Sequence, residues 1–121
     1  MTTALVIEDN EDNMVLITRL LKSAGYQTLE AMTGLAGLEL AIAEQPDFIL
    51  LDIQLPDIEG TEVVSRLRTT TEGKDIPVIA VTSYAMAGDR ERLLAAGCSG
   101  YIEKPINPML VIDQIKRITD E

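Results

Sequence analysis

Short runs of apolar residues alternate along the chain with longer stretches in which apolar residues recur at helical spacing. The short runs predict five β-strands, at residues 4–7, 27–31, 48–51, 78–81 and 100–102. The first, third and fourth strands are continuously apolar, which is typical of central strands that are buried on both faces. The alternation of strands and helices predicts an α/β fold in which βαβ units surround a parallel sheet.

The stretches between and after the strands predict five helices. Gly25 ends the first helix in a left-handed turn, and the apolar residues of that helix at helical spacing are Met14, Ile17, Leu21 and Ala24. A second helix is predicted after Thr33, a third over residues 61–68, and a fourth over residues 87–96 that ends at Gly97. A fifth helix is predicted to open with Asn107 as cap and Pro108 at its first position. Its predicted buried residues are Ile112, Ile115 and Ile118.

The length and composition of the chain fit one domain. The alternation of elements is used up by the end of the 121 residues, and no linker or low-complexity segment interrupts it. We therefore expect a single domain over residues 1–121, with no room for a separate output domain. Hydrophobic residues make up 46% of the chain and aromatic residues only 3%, so the core must consist of aliphatic side chains and methionine.

The net charge and the missing residue types exclude several classes of function. Twenty acidic and ten basic residues give a charge of −10, which repels nucleic acids and anionic membranes, so neither is an expected partner. No apolar leader or membrane-spanning run is visible, which favours a cytoplasmic protein. The single Cys98 excludes an internal disulfide framework, and the absence of histidine excludes Cys-His and Ser-His catalysis and histidine metal sites.

Acidic residues follow two strands of the predicted sheet. Functional residues of such sheets collect at the carboxyl ends of the strands, here residues 8–13, 52–60, 82–86 and 103–106. Glu8 and Asp9 end the first strand and Asp52 ends the third, its neighbour. Three close carboxylates repel one another unless a cation joins them, and oxygen ligands favour Mg²⁺. The alternative is that Glu8 and Asp9 only lie near the positive end of the next helix and that Asp52 begins a turn.

Two further polar residues end strands at the same edge. Thr82 closes the fourth strand, so its hydroxyl is expected to point into the cleft that holds Asp52, although it could instead bond only its own turn. Lys104 follows the fifth strand and precedes Pro105, which keeps its backbone extended and lets its ammonium reach back across the strand ends. A solvated lysine beside a turn proline is the alternative.

Familiar calcium and nucleotide motifs are absent from the sequence. The acidic run at residues 9–13 is not an EF-hand loop, because Met14 stands where glycine is required and Leu20 where glutamate is required. Neither G-x-x-x-x-G-K-[ST] nor G-x-G-x-x-G occurs, so ATP is not an expected ligand.

Taken together, the four loops resemble the receiver domains of bacterial response regulators, over essentially the whole chain. The resemblance rests on Glu8-Asp9, on residues 50–60 (LLDIQLPDIEG), on Thr82 and on Lys104-Pro105. Residues 81–89, 96–98 and 101–106 are especially similar to stand-alone regulators of the cell-fate type and to receivers of hybrid histidine kinases. The resemblance implies a flavodoxin-like (βα)5 three-layer sandwich with a parallel five-stranded sheet of order 2-1-3-4-5.

The resemblance also implies a role for each candidate residue. Asp52 would accept a phosphoryl group from a phosphohistidine, and Mg²⁺ would be held by Glu8, Asp9, Asp52 and the backbone carbonyl of Gln54. Lys104 and Thr82 would each bind a phosphoryl oxygen. Tyr101 would turn inward into the space that Thr82 vacates, and the Lys104-Pro105 bond would be cis.

The implied protein is a phosphoacceptor switch rather than an enzyme, one that assists its own phosphorylation and dephosphorylation. Its partners would be a sensor histidine kinase or histidine phosphotransfer protein and a downstream protein effector, and it would be a monomer or a phosphorylation-linked dimer. Met1 and the end at Glu121 favour a stand-alone regulator over a receiver cut from a hybrid kinase. Two residues depart from the family pattern: Glu8 replaces a frequent Asp, and Ser83 a frequent Ala.

Two other classes of protein share parts of this pattern. Phosphatases of the haloacid dehalogenase type also use a strand-end aspartate with Mg²⁺, but their D-x-D signature requires aspartate where Gln54 stands, and the chain has no cap domain. A flavodoxin-like module would bind FMN, but acidic residues follow the first strand where a phosphate loop would be needed. A colourless purified protein would exclude the flavin.

Overall fold

The computed structural model describes residues 2–83 and 87–119. Five strands and five helices alternate within this part of the chain: β1 Thr3–Ile7, α1 Glu11–Ser23, β2 Gln27–Ala31, α2 Gly34–Glu44, β3 Phe48–Asp52, α3 Gly60–Arg68, β4 Val78–Thr82, α4 Ala87–Ala96, β5 Gly100–Glu103 and α5 Val111–Thr119. The strands form one parallel sheet of order β2-β1-β3-β4-β5. The predicted flavodoxin-like three-layer fold and strand order are therefore confirmed.

Alternate residues of each strand face opposite layers of helices. On one face, β-strand residues pack against α1 and α5 in a cluster that includes Val6, Leu50, Ile79, Ile17 and Ile115. On the other face, they pack against α2, α3 and α4 in a cluster that includes Leu5, Leu51, Ala80, Ala41, Val64 and Leu93. The prediction that the first, third and fourth strands are central is confirmed, because β1, β3 and β4 are buried along almost their whole length.

Several predicted helix boundaries are confirmed, and each has a local cause. Gly25 after α1 and Gly97 after α4 have φ angles of 94° and 111°, which favour glycine. Thr33 caps α2 by accepting a hydrogen bond from the N–H of Ala36 at 3.1 Å. The third helix begins at Gly60, one residue before the predicted start, and a Cβ at this position would lie 2.7 Å from the Cα of Ile53.

The predicted start of the fifth helix at Pro108 is wrong, because α5 begins at Val111. The Asn107 side chain accepts a hydrogen bond from the N–H of Met109 at 2.9 Å, and its carbonyl accepts from Leu110 at 3.0 Å. These bonds close a turn over residues 108–110 that leads into the helix. Of the predicted buried stripe, Ile115 is fully buried, whereas Ile112 and Ile118 are half-buried; Val111 is also buried.

Arg68 links three segments at the end of α3. Its Nη1 donates to the carbonyl oxygens of Gly73 and Ile76, at 2.8 and 2.7 Å. Its Nε and Nη2 both donate to the carbonyl oxygen of Gly97, at 3.1 and 2.8 Å. We refer to Arg68 and these three carbonyls as the Arg68 clasp. It fixes the end of α3, the loop that follows and the end of α4 relative to one another.

Candidate functional site

Three carboxylates meet at the carboxyl edge of the sheet. Glu8 directly follows β1 and Asp52 ends β3, and these strands pair with Ile7 opposite Leu51. Glu8 and Asp52 are only 2% and 5% exposed, whereas Asp9 is exposed to solvent. One ligand oxygen from each of the three carboxylates lies within 4.8 Å of the others. The sheet therefore brings together the three acidic residues that the sequence predicted as ligands.

Lys104 brings the one positive charge that contacts these carboxylates in the described part of the chain. Its Nζ lies 3.2 Å from Oδ1 of Asp52 and 3.7 Å from Oε1 of Glu8. The Lys104 backbone N–H donates to the carbonyl oxygen of Thr82 at 2.8 Å, and the Lys104-Pro105 bond is cis, as predicted. The side chain thus spans from β5 across β4 to the end of β3.

Backbone donors and burial set the charge state of the site. Oδ1 of Asp52 accepts from the N–H of Gln54 at 3.0 Å, and Oε2 of Glu8 accepts from the N–H of Asn10 at 3.2 Å. The pKa of Glu8 is raised to about 7, chiefly by burial and then by its hydrogen bond to Asp52. The N–H of Asn10 and the charge of Lys104 oppose that rise. Burial is thus the main cause of the raised pKa of Glu8, and the neighbouring Asp52 carboxylate adds to it.

An open cleft of about 390 Å³ lies beside the carboxylates. Glu8 and Lys104 form part of its polar wall, and Leu16 of α1 and Pro105 form part of its apolar wall. Ser83, which is exposed, also lines the cleft. Asp52 does not line the cleft itself, but Glu8 and Lys104, which both contact the Asp52 carboxylate, do.

Thr82 and Tyr101 lie on the same face of neighbouring strands. Thr82 ends β4 and is 4% exposed, and Tyr101 pairs with Ala80, two residues before Thr82. Residues two apart in a strand share a face, so the two side chains are diagonal neighbours. Tyr101 is half-buried, with the Arg90 guanidinium over its ring. Of the predicted loop at 82–86, residues 84–86 lie outside the described part of the chain.

Residues 4–116 match the family model of the response regulator receiver domain. The chain belongs to this family. The polar-differentiation response regulator DivK of Brucella ovis is 46% identical over 114 residues, which are 94% of this chain and 93% of that protein. The receiver domain therefore functions in two-component signalling.

Among the solved structures that share the fold of this receiver domain are a chemotaxis regulator and a histidine-kinase receiver. The chemotaxis response regulator CheY4 of Vibrio cholerae superposes with a TM-score of 0.93 at 25% identity, covering 98% of each chain. The receiver domain of a sensor histidine kinase from Pseudomonas aeruginosa has a TM-score of 0.90 at 31% identity, covering 99% of this chain and 98% of that one. That structure has a magnesium ion coordinated in its active site cleft.

Membership of this family indicates the kind of signalling reaction in which the chain takes part. Receiver domains act as phosphoacceptor switches in phosphorelays with histidine kinases and downstream effectors, and they bind Mg²⁺ at an acidic pocket. Within residues 2–83 and 87–119, no helix is both long enough and apolar enough to span a membrane.

Two residues near the site, Arg90 and Asp57, were not identified from the sequence. Arg90 is one of several charged residues on α4, and nothing in the sequence distinguishes it from the others. Asp57 follows Pro56 in the loop after β3, where aspartate is common in turns. The only available signal was that this loop also carries Gln54.

Proposed function

We propose that this receiver domain takes a phosphoryl group onto Asp52 in a Mg²⁺-dependent reaction. The donor is a phosphohistidine on a sensor histidine kinase or a histidine phosphotransfer protein, and the phosphorylated form controls binding to a downstream protein effector. The observation that carries the proposal is the 3.2 Å approach of the Lys104 ammonium to Asp52, beside a cluster of three carboxylates whose oxygens lie within 4.8 Å.

The transfer makes one bond and breaks one. An oxygen of the Asp52 carboxylate attacks phosphorus and forms an acyl phosphate, while the P–N bond of the donor breaks and its electron pair leaves with the imidazole. Because residues 1–121 contain no histidine, the phosphohistidine donor lies outside these residues. The cleft beside Glu8 and Lys104, about 390 Å³ in volume, leaves room for the approaching imidazole.

The charges of the site support this chemistry. Glu8, Asp9, Asp52 and the backbone carbonyl of Gln54 would hold Mg²⁺, which when bound neutralises negative charge on the transferring oxygens. Lys104 is already within ion-pair distance of Asp52 and needs only a small movement to pair with a phosphoryl oxygen. The same groups would assist hydrolysis, in which water attacks phosphorus and the Asp52 carboxylate leaves.

The conformational response would pass through Thr82 and Tyr101. A phosphoryl group adds about two negative charges, and the Thr82 hydroxyl moves to donate a hydrogen bond to one of its oxygens. Tyr101, a diagonal neighbour on the same face, then turns inward into the vacated space. Moving a population from 1:99 to 99:1 requires about 5.5 kcal/mol. Two charge-assisted hydrogen bonds at about 1.5–3 kcal/mol each, together with ring burial, reach that sum.

The setting of the protein completes the proposal. Residues 1–121 form a single receiver domain that works in the cytoplasm, as a monomer or as a dimer linked to phosphorylation. The charge of −10 makes a protein the expected effector, because nucleic acids and anionic membranes would be repelled.

The test is phosphorylation by acetyl phosphate with Mg²⁺, followed by intact mass spectrometry. The wild-type chain should gain one phosphoryl group, and Asp52→Asn should gain none. Asp12→Asn, which removes an exposed carboxylate on the first turn of α1, is the matched control and should react like wild type. If Asp52→Asn is phosphorylated to the same extent as wild type, Asp52 is not the acceptor.

A further inference from the structure

Asp57 ties the loop after β3 to the start of α2. Its Oδ1 accepts a hydrogen bond from the N–H of Gly34, and its Oδ2 accepts one from the N–H of Leu35, both at 2.8 Å. These N–H groups belong to the first turn of α2, where no intrahelical acceptor is available to them. The bond from Leu35, with a smaller contribution from Gly34, holds the pKa of the Asp57 carboxyl below its ordinary value. The carboxylate is thus ionised at neutral pH, and both of its oxygens are engaged.

The loop over residues 53–59 is also fixed at its base and along its side. At the base, the N–H of Gly60 donates to the carbonyl oxygen of Ile53 at 2.9 Å. Along the side, Ile58 packs so closely on Gly34 that a Cβ there would lie 2.8 Å from Cγ1 of Ile58. The hydrogen bonds of Asp57 are the polar part of this attachment, and they fix the direction in which the loop leaves β3.

Gln54 lies between the base of the loop and Asp57. Its N–H donates to Oδ1 of Asp52 at 3.0 Å, so its peptide group already contacts the reacting carboxylate. Only Leu55 and Pro56 separate it from Asp57, and the ring of Pro56 fixes one backbone angle of that short link. A shift of Asp57 would therefore move the backbone of Gln54 rather than be absorbed by a flexible segment.

We propose that Asp57 is a positioning residue for the phosphoacceptor site, which holds the Gln54 backbone where it meets Asp52 and a bound divalent cation. The inference rests on the proposed function and deepens it. Asp57 acts through the loop and does not touch the reacting atoms. If Asp57 served only to cap α2, its removal would change stability alone.

The experiment compares Asp57→Asn with Asp47→Asn. Asp47 also accepts a backbone hydrogen bond, from the N–H of Thr3 at 2.7 Å, but it precedes β3 and lies away from the carboxyl edge. Both variants lose one charge and weaken a carboxylate-to-backbone bond. Mg²⁺ affinity would be measured by calorimetry, and phosphorylation by acetyl phosphate would be followed as a function of Mg²⁺ concentration.

For Asp57→Asn we expect the Kd for Mg²⁺ to rise about three- to tenfold, at or below the lower end of the about 10–100-fold that groups orienting metal ligands contribute, because Asp57 acts through the loop. The Mg²⁺ concentration for half-maximal phosphorylation should rise in parallel, and saturating Mg²⁺ should restore the rate toward wild type. Asp47→Asn should match wild type in both measurements. Equal Mg²⁺ affinity in Asp57→Asn and wild type, or an equal loss in both variants, would overturn the inference.

A second variant separates capping of α2 from positioning of the loop. Thr33→Ala removes the hydrogen bond to Ala36 at the same end of α2 but leaves the loop contacts in place. If Thr33→Ala weakens Mg²⁺ binding as much as Asp57→Asn does, the effect comes from α2 and the inference is wrong. Should Asp57→Asn fail to fold, Asp57→Glu carries the same test, since it keeps the charge and places the carboxylate one methylene farther from the backbone. Failure of the wild-type chain to bind Mg²⁺ or to be phosphorylated would instead refute the proposed function.

Discussion

The guanidinium carbon of Arg90 lies 5.2 Å from the centroid of the Tyr101 ring, so that a cation of α4 covers the half-exposed ring of β5. A cation–π contact at an exposed position contributes about 0.5–1 kcal/mol. In the proposed switch Tyr101 turns inward, away from this cation, so Arg90 would stabilise the unphosphorylated arrangement.

We predict that Arg90→Ala shifts the unphosphorylated protein toward the inward Tyr101 ring by a factor of about 2–5. NMR signals of the Tyr101 ring before and after phosphorylation measure the two populations. Arg92→Ala is the matched control, because Arg92 lies on the same helix and pairs with Asp89 at 3.5 Å. Identical Tyr101 spectra for Arg90→Ala and wild type would show that the contact does not hold the ring.

We predict that Thr82→Ala still accepts a phosphoryl group at Asp52 but responds to it incompletely. Removing one charge-assisted hydrogen bond costs about 1.5–3 kcal/mol, which lowers the ratio of active to inactive protein by about one to two factors of ten. Phosphorylation-dependent effector binding should weaken, with smaller NMR shifts around Tyr101. Ser83→Ala, which removes the adjacent exposed hydroxyl, should behave as wild type.

A specific result would contradict the proposed coupling between Thr82 and Tyr101. If Thr82→Ala and Tyr101→Ala both retain full phosphorylation-dependent binding and the full spectral change, the switch does not pass through this pair. Thr82 would then be a strand-end residue and Tyr101 a core residue, with the conformational response located elsewhere in the molecule.

We predict that Asp9→Ala weakens Mg²⁺ binding and slows phosphorylation together, each by at least about tenfold. Asp9 is exposed, so the fold should tolerate its loss, and the two remaining carboxylates would hold the ion less firmly. Asp12→Ala removes the same charge from the first turn of α1 and controls for net charge. Removing Mg²⁺ with EDTA should stop phosphorylation of the wild-type chain. Unchanged Mg²⁺ affinity in Asp9→Ala would show that Asp9 is not a ligand of the ion.

We predict that Arg68→Ala lowers the free energy of unfolding by about 2–4 kcal/mol, because three carbonyl oxygens lose a charged donor. Urea denaturation measures this change. Arg66→Ala on the same helix should cost less than about 1 kcal/mol, since its pair with Glu62 at 3.1 Å is half-exposed. Equal costs in the two variants would mean that the Arg68 clasp contributes little to stability.

The central strands and the acidic cluster were predictable from the sequence, whereas the start of α5 was not. Apolar runs fixed β1, β3 and β4 because strands buried on both faces need apolar residues at every position. The parallel arrangement then brought Glu8 and Asp52 to one edge, as expected from strand order. The start of α5 was mispredicted because Asn107 and Pro108 suit a preceding turn as well as a helix cap.

Contacts between helices and strands were not predictable in the same way. Arg90 meets Tyr101 because α4 packs beside β5, and no periodicity in the sequence encodes how the two elements pack. Asp57 reaches Gly34 across 23 positions in the chain, through a loop whose path depends on the packing of Ile58. Such contacts depend on tertiary packing, whereas the strand pattern depends on local composition.

The Arg68 clasp has an evolutionary consequence, because it binds only main-chain oxygens and every amino acid carries the same carbonyl group. A substitution at residue 76 keeps the main-chain carbonyl that accepts the bond, but a substitution of Arg68 removes the donor. The hydrogen bond therefore depends on the side chain of Arg68 and not on the side chain of residue 76. As related chains diverge, the bond from Arg68 to residue 76 leaves no correlated substitution at position 76, so methods that infer contacts from covariation will overlook that bond.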